Sequence, residues 1–318
     1  MIELSNFDLP TLWFAVVFAF LAVFLFLDGF DFGVGALFAT RGDPEEKERL
    51  LAAIGPFWDG NEVWLVVFGG ALFAAFPPVY AALFSRHYLL LFGVLGTLIL
   101  RGLAPEFYEQ RHDESWQRWW GRAFVVGSVG APFLLGVFAA NWLLGTAGPT
   151  LTSLVVGLAV VCMTIASGAA FLGLKLRGEL REEMVAYGPK ATLAFLAFAV
   201  VTLVLLASRV SYDVTSAALV ALTVASGVGY VLATKQGYRY VSFVTAGGMT
   251  GSFVALVGTL MYPVVEPVRG LTVAEAAVGS PSIELLTGSA ALLLPLVLTY
   301  FVVLYSAFSG PIDPEEAY

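Results

Sequence analysis

Residues 55–64 read Gly-Pro-Phe-Trp-Asp-Gly-Asn-Glu-Val-Trp, which sets Asp59 and Glu62 three apart inside an apolar stretch. Upstream, Asp28-Gly-Phe-Asp31-Phe-Gly-Val-Gly repeats the spacing. Acids three apart share a helix face. Ionisable groups at membrane depth are costly unless paired or hydrated, so by default they mark a route for ions or protons. At the rise of an α-helix, Asp31 lies ~15 Å and Asp28 ~20 Å from the helix end near Arg41, and Asp59 ~10 Å from the same surface, with Glu62 slightly deeper. Both pairs therefore fall in one half of the membrane. Asn61 and Trp58 flank the second pair, and Gly55-Pro56 allows a helix to bend or begin there, which frees carbonyls for polar partners. Gly29-x-x-x-Gly33 has the small-residue spacing that lets helices touch. Packing explains those glycines but not the aspartates. The competing explanation for the acids is a buried ion pair that locks helices together, with Arg101 the obvious partner.

The elements that position these groups follow from composition. Hydrophobic residues make up 59% of the 318, and charged residues 13%; mean hydropathy is +0.85. Apolar runs long enough to cross a ~30 Å hydrocarbon core recur throughout. They predict spans over 11–39, 52–76, 79–100, 122–145, 151–174, 190–208, 214–233, 239–261 and 285–308. Pro77-Pro78 is nearly all the turn available between the second and third. No short alternating segments suggest a β-barrel. The expected fold is an all-α polytopic membrane protein of about nine transmembrane helices, arranged as two four-helix bundles plus one peripheral helix. Residues 1–318 read as a single transmembrane domain with no soluble domain, the longest loop being 262–284.

Arg and Lys crowd the loops after the first, third, fifth and seventh spans, whereas the opposite side carries only Arg209 and Arg269, with Arg86 beside the third span. The positive-inside rule then places the N-terminus outside and the C-terminus in the cytoplasm. Met1–Pro10 has no basic residue, so the first run reads as a span rather than a cleaved signal peptide. A net charge of −8 concentrates in loops such as 43–48 and the tail 313–316. Solvated loop faces explain it, and a halophilic source is the sharper alternative. No basic stripe suggests nucleic acid. Cys162 reads as a packing residue.

There are two histidines, His87 and His112. A six-coordinate haem takes two strong axial ligands, usually His or Met, and no cluster has the spacing of a zinc or copper site. Among the other polar and aromatic residues, His87, Trp13 and Asn141-Trp142 read as membrane-interface residues, and Glu266 and Glu275 as solvated loop residues. A redox enzyme made of this chain alone is not expected.

Leu27-Asp-Gly-Phe-Asp-Phe-Gly-Val-Gly35, Gly55-Pro-Phe-Trp-Asp-Gly-Asn-Glu-Val-Trp-Leu65, Gly69-Gly-Ala-Leu-Phe-Ala-Ala-Phe-Pro77 and Arg101-Gly-Leu-Ala-Pro-Glu-Phe107 resemble subunit II of the cytochrome bd-type quinol oxidases. The likeness continues at Arg177-Gly-Glu-Leu-Arg181, Pro263 and Leu271-Thr-Val273. It implies a complex in the prokaryotic cell membrane that takes electrons from quinol and reduces dioxygen to water. Haem b and haem d would sit in subunit I, and this chain would hold no cofactor firmly. Its implied partners are that haem-bearing subunit, membrane lipid and quinone, with room for a small extra subunit. Its implied role is to stabilise subunit I and contribute a cytoplasmic proton path through Asp59 and Asp28, with Asp31 and Glu62 as further candidates. Arg101, Glu106, Trp58 and Asn61 are read as structural or ion-pairing residues. Pro105 where relatives carry an aromatic, the Arg86-His87 pair and a short 141–154 connection depart from the family pattern. A stand-alone proton-coupled secondary transporter is the rival reading, and it predicts matching interrupted helices in both halves. A scaffold whose acids only pair with Arg is the third.

Overall fold

A computed structural model describes residues 8–311; the acidic tail 313–316 lies outside them. The chain begins with α1 (Leu9–Phe38), α2 (Pro44–Ile54), α3 (Trp58–Ala75), α4 (Pro77–Arg86), α5 (Tyr88–Glu109) and α6 (Glu114–Leu144). It continues with α7 (Leu151–Lys175), α8 (Gly178–Leu206), α9 (Val214–Lys235) and α10 (Arg239–Met261). A small hairpin of β1 (Val264–Glu266) and β2 (Leu271–Thr272), then α11 (Val273–Ala276), leads to α12 (Ser280–Ala307).

Among the described residues, eight helices are long and apolar enough to span a membrane: α1, α5 to α10, and α12. The ninth expected span is α3, whose polar opening Trp-Asp-Gly-Asn-Glu lowers its apolar character. The predicted second span is broken where Gly55-Pro56 separates α2 from α3, because proline removes a backbone donor and clashes with the preceding turn. The predicted third span is also divided, at His87, so the Pro77-Pro78 turn is a short helix, α4, and the membrane helix starts at Tyr88.

α1 is the central strut, packed against α3, α6, α7 and α10. With α3, α5 and α6 it forms one group of four; α7, α8, α9 and α10 form the second. α12 lies outside both and packs on α1 and α3, with only Ile283 buried. Glycine permits the closest crossings. A Cβ on Gly168 of α7 would sit 2.5 Å from the carbonyl carbon of Gly33 on α1, and one on Gly33 would sit 2.0 Å from the Thr164 oxygen. Gly29, the other half of the sequence motif, leaves ordinary contact at 3.5 Å. Lipid tails give helices no hydrophobic drive to associate, so backbone proximity of this kind carries the association.

The connection between α10 and α12 is tied down rather than solvated. Trp142 Nε1 donates to the Val265 carbonyl at 2.8 Å, and Val278 N donates to the Ala75 carbonyl at 3.0 Å. Arg86 Nη2 lies 2.7 Å from Glu266 Oε1, and the Arg269 amide donates to the other oxygen of that carboxylate at 2.7 Å. Glu266, expected in solvent, is therefore fully buried, since it must pair Arg86 and close the hairpin. Trp13, Asn141, Trp142 and His87, expected at the membrane interface, are buried as well. Trp13 Nε1 donates to Thr287 Oγ1 at 2.8 Å and so ties α1 to α12. Glu275 is exposed as expected and accepts from the Thr272 amide and hydroxyl.

Gly168→Val is expected to destabilise the fold by about 1–3 kcal/mol or more, because the atoms it meets are backbone and cannot turn aside. Gly251→Ala, which meets nothing within 4 Å, is expected to be neutral. Thermal melting of the detergent-solubilised protein, followed by size-exclusion fluorescence, separates the two.

Candidate functional site

Arg101 and the three acids that meet it come from three different helices. α1 presents Asp28 and Asp31, α3 presents Glu62, and α5 presents Arg101. The approach of α5 to α6 holds Arg101 in place: a Cβ on Gly127 would sit 2.6 Å from the Arg101 backbone nitrogen. Arg101 Nη2 lies 2.7 Å from Asp28 Oδ1 and 3.6 Å from Asp31 Oδ2. Its Nη1 donates to Glu62 Oε2 at 3.2 Å. Asp28, Asp31 and Arg101 are buried, while Glu62 keeps 33% of its side chain accessible. The guanidinium also sits over the Phe32 ring, 4.8 Å from its centroid, and 5.9 Å from that of Trp58, where a delocalised cation is attracted to the ring face.

Asn61 extends the cluster. Its Nδ2 donates to Asp31 Oδ2 at 2.9 Å and to the Leu27 carbonyl at 3.3 Å. Its Oδ1 accepts from the Tyr305 hydroxyl at 2.8 Å. Tyr305 lies on α12, far away in sequence, and the sequence analysis missed it. The sequence offered no signal that singled it out, since α12 also carries Tyr300, Thr299 and Ser306.

Two expected site residues stand apart. Asp59 shares the first turns of α3 with Glu62 but is exposed, with no ion pair among the described residues. The spacing of three is only approximately one face, and the helix uses that difference to turn Glu62 toward Arg101 and Asp59 outward. Glu106 is exposed too and does not pair with Arg101, as the ion-pair expectation required. Five positions further along α5, it projects away from the guanidinium. Trp58 is half-buried beside Arg101.

Glu106 has a different place. A cavity of about 670 Å³ runs from Glu48, Glu106 and Glu109 past the Gly55-Pro56 break to Arg101 and Trp58. Lys175 lines it and donates from Nζ to the Phe308 carbonyl, with its ammonium 4.7 Å from the Phe57 ring centroid. The broken helix thus forms one wall of a polar vestibule whose floor is the cation of the buried cluster. Carboxyl groups lining a water-filled cavity are the groups that proton relays use.

The two histidines stand apart from the ionic cluster. His112 is exposed in the loop after α5. His87 is buried between α4 and α5, packed edge-on to Phe138 with ring centroids 5.4 Å apart, and lines none of the cavities described.

Fold and site together define a multi-pass helical membrane protein with a four-residue ionic cluster in its first bundle. Residues 9–308 match the family described as cytochrome bd terminal oxidase subunit II. The chain is 30% identical over 339 aligned positions to the cytochrome bd ubiquinol oxidase subunit 2 of Bacillus subtilis (strain 168), covering 97% of this chain and 98% of that one. It is 35% identical over 190 positions to the cytochrome bd-I ubiquinol oxidase subunit 2 of Escherichia coli (strain K12), covering 53% of this chain and 49% of the relative. Its fold is similar to a chain of the bd oxidase from Geobacillus thermodenitrificans, with a TM-score of 0.79 over 95% of this chain and 99% of that chain, at 18% identity. The chain belongs to the cytochrome bd terminal oxidase subunit II family, and is thus one subunit of an oxidoreductase complex.

Arg101→Leu leaves buried carboxylates without their counter-charge and is expected to cost ~3–5 kcal/mol. Arg101→Lys is expected to recover only part of this, because a point charge on one stem cannot reach Asp28 and Glu62 together. The comparison is made on melting temperatures of the purified complex; equal melting of all three proteins would contradict the arrangement.

Proposed function

We propose that this chain is the non-haem subunit II of a cytochrome bd-type quinol:dioxygen oxidoreductase. In this reading it stabilises a haem-bearing subunit I and supplies a cytoplasmic proton path for the reduction of dioxygen to water. The carrying observation is the vestibule that ends on Arg101, with Asp28, Asp31 and Glu62 gathered on that one cation. One guanidinium balances one carboxylate. Three acids gathered on a single cation form a group of the kind that proton relays in membrane proteins use. Haem is assigned to the partner because the two histidines here do not suit it; quinol is the complex's electron donor, as the relatives' names describe for them.

Asp59 supports a partner on a particular face. A carboxylate exposed on a membrane helix is unfavourable against lipid, and Val63, Val66 and Phe73 further along the same face of α3 are also exposed. A protein surface covering this face would shelter Asp59 and place it between the two subunits. Protons would then pass between Asp59 and Glu62, one turn apart, with the Arg101 cluster behind them. The whole chain is read as a single transmembrane domain with its N-terminus outside and C-terminus in the cytoplasm, which puts the vestibule mouth on the proton-supplying side. The transporter reading would need an interrupted, acid-bearing counterpart in the second bundle. The buried acids of the spans among the described residues are Asp28 and Asp31, both in the first.

Asp59→Asn in the intact complex is expected to lower oxidase turnover at least about tenfold while haem content and assembly stay normal, the usual cost of removing a proton-transfer group being about 10²–10⁴ in rate. Unchanged turnover in a fully assembled complex would remove Asp59 from any essential proton route, and loss of assembly alone would favour the scaffold reading.

A further inference from the structure

A second cavity, of about 210 Å³ and with a mixed lining, lies at the Arg- and Lys-rich end of the other bundle, between α7, α8, α9 and α10. Its polar lining is Arg181 and Glu182 of α8, Thr234 of α9, Arg239 and Ser242 of α10, with Gly237 in the connecting turn. Four other arginines at the same end hold carboxylates: Arg41 pairs with Glu46 and Glu183, Arg49 with Glu45, Arg111 with Asp113, and Arg118 with Glu114. Arg181 and Arg239 pair with none among the described residues, although Glu182 lines the same space. Arg181 is half-buried and Arg239 is exposed at the cavity mouth.

The hydroxyls of the cavity are already engaged. Ser242 donates to the Tyr238 carbonyl at 3.1 Å, and Thr234 Oγ1 lies 3.1 Å from Ser242 Oγ. They brace the wall and leave the two guanidinium groups as the free donors. The same wall is the start of α10, whose N-cap residue Tyr238 makes no side-chain cap, so uncapped backbone amides add positive potential there. Arg forks match the oxygens of a phosphate in two-point contact. Tyr238 and Tyr240, both strongly exposed beside the cavity, are the residue type that settles at the headgroup level of a bilayer.

We infer that this cavity binds a phosphate group through Arg181 and Arg239, and that the group is the headgroup of an anionic phospholipid seated between α8 and α10. Basic pockets between membrane helices on the cytoplasmic side take headgroups of this charge. The cavity shares no lining residue with the vestibule at Arg101 and does not depend on the proton-path reading.

The test is native mass spectrometry of the whole delipidated oxidase complex, titrated with phosphatidylglycerol or phosphatidylcholine. Replacing both arginines (Arg181→Gln, Arg239→Gln) is expected to weaken phosphatidylglycerol binding about thirtyfold and leave phosphatidylcholine binding unchanged. The Arg181→Lys, Arg239→Lys pair should restore most of it. Normal haem spectrum and turnover in the variants show that they fold; if the double Gln variant does not assemble, each single substitution is measured instead. Inorganic phosphate at millimolar concentration distinguishes the source. Failure to displace the lipid supports the headgroup assignment. Arg-dependent binding of free phosphate that displaces the lipid keeps the phosphate site but moves its ligand to solution. Equal phosphatidylglycerol binding by wild type and Gln variants overturns the proposal.

Discussion

The first bundle is organised around one buried cation. Arg101 must stand where Asp28, Asp31 and Glu62 can all reach it, because a guanidinium that deep without carboxylates, or the carboxylates without it, would carry a large desolvation cost. This constraint fixes three helices relative to one another at once. It sets the rotation of α1, which has to turn both aspartates inward. It sets the depth of α3, whose first turns must bring Glu62 level with the guanidinium, and the reach of α5, whose backbone is pressed against Gly127 of α6 at Arg101. Asn61 and Tyr305 then draw α12 against the same point.

The remaining architecture serves this centre by different physics. Direct backbone contact at Gly33 and Gly168 joins the first bundle to the second without any polar group. On the opposite side from the vestibule, Arg86 and the fully buried Glu266 pin the β1–β2 hairpin over α4. The break at Gly55-Pro56 lines a cavity that reaches Arg101. A membrane protein tolerates such interrupted backbone where it lines a polar cavity, and that is where this break lies.

The fold class, most of the span pattern, the family and the presence of acids inside apolar runs were legible in the sequence because each rests on a local property. Apolar run length reports span, residue spacing reports face, and an ionised group in an apolar run is anomalous wherever it occurs. Arg101 was readable as the partner on the same ground. Less legible were the individual assignments within these motifs. Asp59 and Glu62 look equivalent at three residues apart, yet one faces the cation and the other faces outward. Glu106 sits in the same motif as Arg101 and faces the vestibule instead of the ion pair.

By itself the sequence determined that this is a helical membrane protein with charges held inside it, since hydropathy and the cost of burying charge depend only on residue type and local order. Tertiary structure alone decided which charges meet. The four groups of the cluster come from α1, α3 and α5, and the tyrosine that completes it comes from α12; those distances depend on how helices rotate and cross. Glu266 shows the same limit from the other side: in the chain it is an acid in a polar loop, and only the approach of Arg86 made it a buried ion pair. Pairing across helices is a property of packing, and packing is settled by backbone contacts that a single chain position does not display.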